Sequence, residues 1–196
     1  MTERIVLGSG KLYCTTAEKQ DGEYVIPTDA TLEQDENLLG YIQGGATVEY
    51  APTFYTAEDD LGIVQKKFIT EEEITLTSGV MTWNADVLKK LVATGRVTTE
   101  AGKDTFKVGG AANYDGTLYV LRFVHLDSID GNIRVTIVGS NEAGFSMQFQ
   151  KDKETVINAE FKAAPLDKDG TLLIVEFSEP DGSTDNSTPY SPVTGD

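Results

Sequence analysis

Few side chains in this sequence are equipped for covalent or acid–base chemistry, and their settings decide how each reads. His125 is the only histidine. It falls inside the apolar run from Leu118 to Leu126, where a packed strand histidine is expected in place of a general base. One histidine in that setting supports neither a Ser-His-Asp nor a Cys-His arrangement. Cys14 is the only cysteine, which excludes an internal disulfide and a cysteine-based zinc site. It reads as a small apolar residue of a strand at 11–15, in a chain that folds in reducing surroundings. Gly8-Ser9-Gly10-Lys11 has a superficial likeness to a phosphate-binding loop. That loop requires a glycine five residues before the Gly-Lys pair and a hydroxyl after the lysine, and Ile5 and Leu12 stand there instead. A glycine turn between two short N-terminal strands is the better expectation.

Acids cluster at Asp59-Asp60, at Glu71-Glu72-Glu73 and in Asp167-Lys168-Asp169-Gly170. Calcium would need oxygens converging from alternate positions of a longer loop, closed by a bidentate glutamate. Asp167 and Asp169 run into a turn without one. No catalytic, cofactor or metal site is expected, and an enzyme is the function class with least support. The charge balance points away from nucleic-acid and membrane binders as well. Sixteen basic residues stand against 32 acidic ones, a formal charge of −16 over 196 residues. Such a chain repels phosphates and anionic lipid, and no basic patch with interleaved aromatics offsets it. No apolar run is long enough to span a bilayer. Met1-Thr2-Glu3-Arg4 does not begin a secretory signal.

The elements that position these residues are mostly strands. Asp-Gly pairs at 21–22, 115–116, 130–131, 169–170 and 181–182 mark tight turns. Between them, Phe145, Met147 and Phe149 alternate with Ser146, Gln148 and Gln150. Ile133, Val135 and Ile137 alternate with Arg134 and Thr136, and Ile157, Ala159 and Phe161 with Asn158 and Glu160. Period-two alternation is the pattern of half-buried strands. Leu118–Leu126 and Leu172–Phe177 are continuous apolar runs and read as central strands covered on both faces. Ala46–Tyr50 and Ile69–Thr77 are further strands. One helix is expected over Ala85–Thr94. Asn84 is its N-cap, Trp83 and Leu88 have the spacing of a hydrophobic staple, and Gly95 takes the left-handed position after its end. Its stripe of Val87, Leu88, Leu91 and Val92 should cover an edge or open end of the sheet.

Two stretches read as irregular: Gln20–Leu39, and a proline-rich tail over 178–196 that cannot bury enough apolar area to order itself. The remaining domain is 1–177. Inside it, Ala51–Lys67 is long for a hairpin connection and carries Pro52, Phe54, Tyr55, Leu61, Ile63 and Val64. So many apolar groups on a surface loop indicate a partner; the alternative is a longer hairpin packed on its own domain.

The order of strand, projecting loop, strand, short helix and then hairpins has a counterpart. Its carriers are Gly44-Gly45-Ala46-Thr47-Val48-Glu49-Tyr50, then Glu73-Ile74-Thr75-Leu76-Thr77-Ser78-Gly79-Val80 leading into Trp83-Asn84-Ala85-Asp86-Val87-Leu88. Gly131–Gly139 through Lys168–Phe177 completes the set. Over Ile5–Phe177 this layout resembles the tail tube (major tail) proteins of siphophages. The likeness is one of layout and not of a diagnostic motif. It implies a mainly β fold, a β-sandwich or partial barrel with one flanking α-helix. Six copies would form a hexameric ring around a continuous inner β-barrel. Rings would stack into a hollow conduit that DNA passes through without specific binding. Implied partners are further copies and other tail proteins: tape measure, terminator and distal tail. The implied location is the virion tail, assembled in the bacterial cytoplasm. In that scheme the loop at 51–67 reaches the next ring, and Glu49, Glu71, Glu72 and Glu73 face the lumen. A tail terminator and the inner tube of a contractile tail share this fold and stay open. So does a β-sandwich module that binds carbohydrate or a cell surface through Tyr24, Tyr41, Tyr50 and Tyr55, although their spacing forms no common platform.

Overall fold

The computed structural model describes residues 8–63 and 65–179. In chain order it holds β1 (Lys11–Thr16), β2 (Glu18–Gln20), β3 (Glu23–Val25), α1 (Asp29–Leu32), a 3-10 turn at Asp35–Asn37, β4 (Leu38–Gly40), β5 (Ile42–Glu58) and β6 (Gln65–Val80). Then come α2 (Ala85–Lys90), β7 (Arg96–Glu100), β8 (Lys103–Lys107), a second 3-10 turn at Ala111–Asn113, β9 (Tyr119–His125), β10 (Asn132–Asn141), β11 (Ile157–Ala163) and β12 (Ile174–Ser178). The fold is mainly β, as the alternation implies. An antiparallel sheet runs β4-β1-β9-β10-β11-β6-β5, with β12 also paired to β10. It does not close into a barrel, but its two edges share a corner. Tyr41 alone separates β4 from β5, and its backbone binds Met81 and Thr82 just past β6.

Side-chain alternation gives the sheet two apolar faces at its β1-β9-β10 end. Leu12, Cys14, Leu121, Ile137 and Phe161 point to one face with Leu76, Val80, Ile157 and Ala159. Helix α2 closes that face with Val87, Leu88 and Leu91, and Phe106 of β8 packs beside them. The Asn84 side chain accepts from the Val87 N–H at 2.9 Å, so the expected N-cap is present. Tyr13, Val120, Val124 and Val138 point to the opposite face, where Leu32 of α1 and Leu166 cover them. Leu166 apart, this second cover comes mostly from the stretch read as irregular. Residues 20–39 contain β3, α1 and β4, and the β2–β3 hairpin turns at Asp21-Gly22. Its order comes from ion pairs the local pattern does not display. Arg122 is 3% exposed; it donates to Asp29 and lies 3.5 Å from Glu33 and 3.6 Å from Glu176. Arg134 binds Glu33 through two nitrogens, at 2.6 and 3.1 Å.

Other expectations are corrected. Helix α2 ends at Lys90, not at Thr94, and Gly95 does not adopt a left-handed conformation. The backbone leaves helical geometry at Leu91, whose side chain is buried among the core residues. Phe145–Gln150 is not a strand: Phe145 and Met147 pack on the core, while Phe149 is exposed. Only one side of that alternation found a partner. The run 172–177 is not a central strand covered on both faces. Leu172 and Leu173 pack on the core before β12 begins, and Val175, Glu176 and Phe177 of that short strand are exposed. The tail read at 178–196 lies outside the described residues from position 180 onward, as does the first of the two N-terminal strands.

Candidate assembly surface

The longest elements, β5 and β6, form one hairpin, and only part of it belongs to the sheet. Strand β11 pairs with β6 from Val80 back to Thr75 and no farther. Residues 65–74 of β6 continue with β5 alone as a two-stranded arm, about 30 Å long at the usual rise per strand residue. The segment 51–67 is therefore not a projecting loop. It is the distal part of this arm, and its turn is confined to residues between Glu58 and Gln65. Thr53 pairs with Glu71 and Phe54 with Ile69, so Thr70 is a bulge that bends the ribbon. Asp59 Oδ1 accepts the Ile63 N–H and shapes the tip.

The partner reading of this segment rested on exposed apolar groups, and they are exposed. Leu61 and Ile63 at the tip are 78% and 76% accessible, with Phe54 and Tyr55 behind them. Pro52 is half-buried, and Val64 lies outside the described residues. The structure adds Phe68 and Ile69, which sit directly across from Tyr55 and Phe54. The sequence placed Ile69 in a plain strand and singled out neither residue, because their exposure depends on β11 stopping short. Lys67 lies 4.2 Å above the Phe54 ring and Lys66 4.9 Å above Phe68, so the arm's own cations lie on its aromatics.

The proposed lumen acids divide by register. Glu49 pairs with Thr75, Ala51 with Glu73 and Thr53 with Glu71, which puts Glu49, Glu71 and Glu73 on one face. Glu72 pairs with Pro52 on the other, where it accepts from the Tyr50 hydroxyl at 2.7 Å. That bond, with the charge of Glu72, raises the Tyr50 pKa. Strand β11 extends the first face with Glu160 and Lys162. Lys162 lies 2.5 Å from Glu73, and this contact raises the lysine's pKa. At this end of the sheet one face is thus polar and, among the described residues, uncovered, built from threonines and acids; the other continues into the core through Ile74 and Leu76.

No family model matches this chain, and neither does any curated protein. Geometry must therefore carry the functional reading. The tyrosines do not form a platform: Tyr50 and Tyr55 point to opposite faces of the arm, Tyr41 marks the β4–β5 corner, and Tyr24 lies under Lys19. His125 is buried in β9, its Nδ1 2.8 Å from the Ser9 carbonyl oxygen. That is the packed strand histidine the sequence suggested. The Asp167 carboxylate is occupied within its turn by Thr171 and by the Asp169 N–H, and these bonds hold it below the usual carboxylate range. Among the described residues no group of three or more His, Cys, Asp or Glu is arranged to hold a metal ion, and no helix is long and apolar enough to cross a membrane.

Cys14 is fully buried in β1, and desolvation pushes its thiol up to about 12, against a smaller opposing pull from Lys90. A thiol reagent at pH 8 is expected to leave the folded protein unmodified and to label one thiol per chain in guanidinium. Rapid labelling without denaturant would contradict this burial.

Proposed function

We propose that the chain is the repeating subunit of a phage tail tube, a ring-forming protein whose rings stack into a conduit for DNA. One observation carries the reading. The sheet is covered on both faces where β1, β9 and β10 lie, but bare, polar and acidic on one face where β11, β6 and β5 lie. At that bare end it finishes in β5, 17 residues long, whose outer edge pairs with no other strand among the described residues. A long unprotected edge invites strand pairing, and a monomer normally blunts it. Copies arranged in a ring satisfy such edges by closing them into a barrel. The bare face then lines the lumen with Glu49, Glu71, Glu73 and Glu160, which repel phosphates and let DNA slide. Glu72, on the opposite face, is not part of that lining. The arm serves contacts between rings, and a head-to-tail contact of that kind propagates without limit.

Negative-stain electron microscopy of the purified protein tests this. Hollow rings with sixfold symmetry, or tubes built from them, are the expected result. Single compact particles at high protein concentration would overturn it and favour a monomeric binding module.

A further inference from the structure

Strand registers fix which way the arm points. Lys162 of β11 pairs with both Ser140 of β10 and Thr75 of β6, and β6 runs parallel to β10. Going from Thr75 toward the arm tip therefore means going toward the Asn132 end of β10. At the other end, beside Ser140 and Asn141, lies an open cleft of about 400 Å³. Its apolar wall is Leu91, Val92, Ala93 and Tyr114, from the end of α2 and the second 3-10 turn. Lys89 and Lys90 line the adjoining pocket. Tip and cleft thus sit at opposite ends of one subunit, too far apart to meet within it.

Their chemistries match. The tip, Glu58-Asp59-Asp60-Leu61-Gly62-Ile63, joins acids to two exposed apolar side chains. One wall of the cleft, residues 91–94, belongs to a stretch, 85–107, in which Lys89, Lys90, Arg96, Lys103 and Lys107 outnumber Asp86, Glu100 and Asp104. In a chain of charge −16, Lys89 and Lys90 beside the cleft are cations that an acidic segment of another copy can meet. Asp115 and Glu142 also line the space, so the acids of the tip are directed to the Lys89 side.

We propose that the arm tip of one copy docks into the α2 cleft of the next, Leu61 and Ile63 against Val92, Ala93 and Tyr114, with Asp60 beside Lys89. This rests on the tube reading and names the receptor for its inter-ring contact. The test is an oxidative cross-link in the full chain carrying Leu61→Cys and Ala93→Cys. Both positions are exposed, and buried Cys14 does not compete. The expected product on a non-reducing gel is a ladder of dimers, trimers and longer chains that collapses on reduction and is absent from either single variant. Separately, Lys89→Glu and Asp60→Lys should each lower the stacked fraction by about tenfold, and their combination should restore it. Tubes that form without a ladder, and that ignore both charge reversals, overturn this docking while leaving the tube reading intact. Monomers throughout, in the unaltered chain as well, overturn both.

Discussion

Replacing Arg122 with alanine should destabilise the subunit by about 3 kcal/mol, a large share of a typical domain's total stability. The guanidinium is almost fully buried between the sheet and α1, where it bonds the Thr136 hydroxyl at 2.9 Å and faces Asp29, Glu33 and Glu176. Asp29 and Glu176 are half exposed, so water can rehydrate them once the arginine is gone. Glu33 is only 16% exposed and keeps Arg134 as its partner. The cost therefore comes chiefly from the vacated volume and the unsatisfied Thr136 hydroxyl, with a smaller charge contribution, which is why the lower end of the range for broken buried pairs applies. For a chain of this size the change corresponds to a fall in melting temperature of about 6–12 °C, measurable by circular dichroism. A melt unchanged within a degree or two would mean that the cluster behaves as a surface network and that Leu32 packing alone holds α1 on the sheet.

The second large effect concerns assembly. Cutting out Thr53–Glu71 and joining Pro52 to Glu72 through Asn-Gly removes the distal arm at a paired position, where a two-residue turn fits the ladder. The shortened chain is expected to keep its melting temperature, because none of the removed side chains belongs to either buried cluster. It is also expected to lose stacking entirely, with isolated rings or subunits remaining in sedimentation and electron microscopy. Undiminished tube growth would remove the arm from the assembly mechanism. A cut from Pro52 to Val64 alone would be a poorer probe, because it strands residues 65–71 without their partners.

Local pattern made part of this molecule legible and left part hidden. The alternation in 157–161 appears in the structure as written, because β11 packs one face on the core and opens the other to water. The Asn84 cap was legible for the same reason: both bonded groups lie within one turn. The cover over the second sheet face was not. Arg134 meets Glu33 across 101 positions, and no periodicity near either residue announces the other. The arm lies between these cases. Its apolar content was visible, but its form was not, since Gly44-Gly45 and Pro52 look like interruptions and prove compatible with a continuous edge strand. The face of each acid depended on pairing register, which separated Glu72 from its neighbours.

The pairing of β1 with β9 has a consequence for synthesis on the ribosome. The N-terminal strand cannot reach its central place until roughly 100 further residues have been made, which at ordinary elongation speed takes on the order of 5–20 seconds. The β5–β6 hairpin closes from neighbouring sequence and can form well before then. Each nascent chain can thus present its arm while the cleft end, which needs β10, has yet to emerge. If the tip docks in the cleft as proposed, neighbouring chains on one message would carry tips without receptors, a delay that would keep them from polymerising before release.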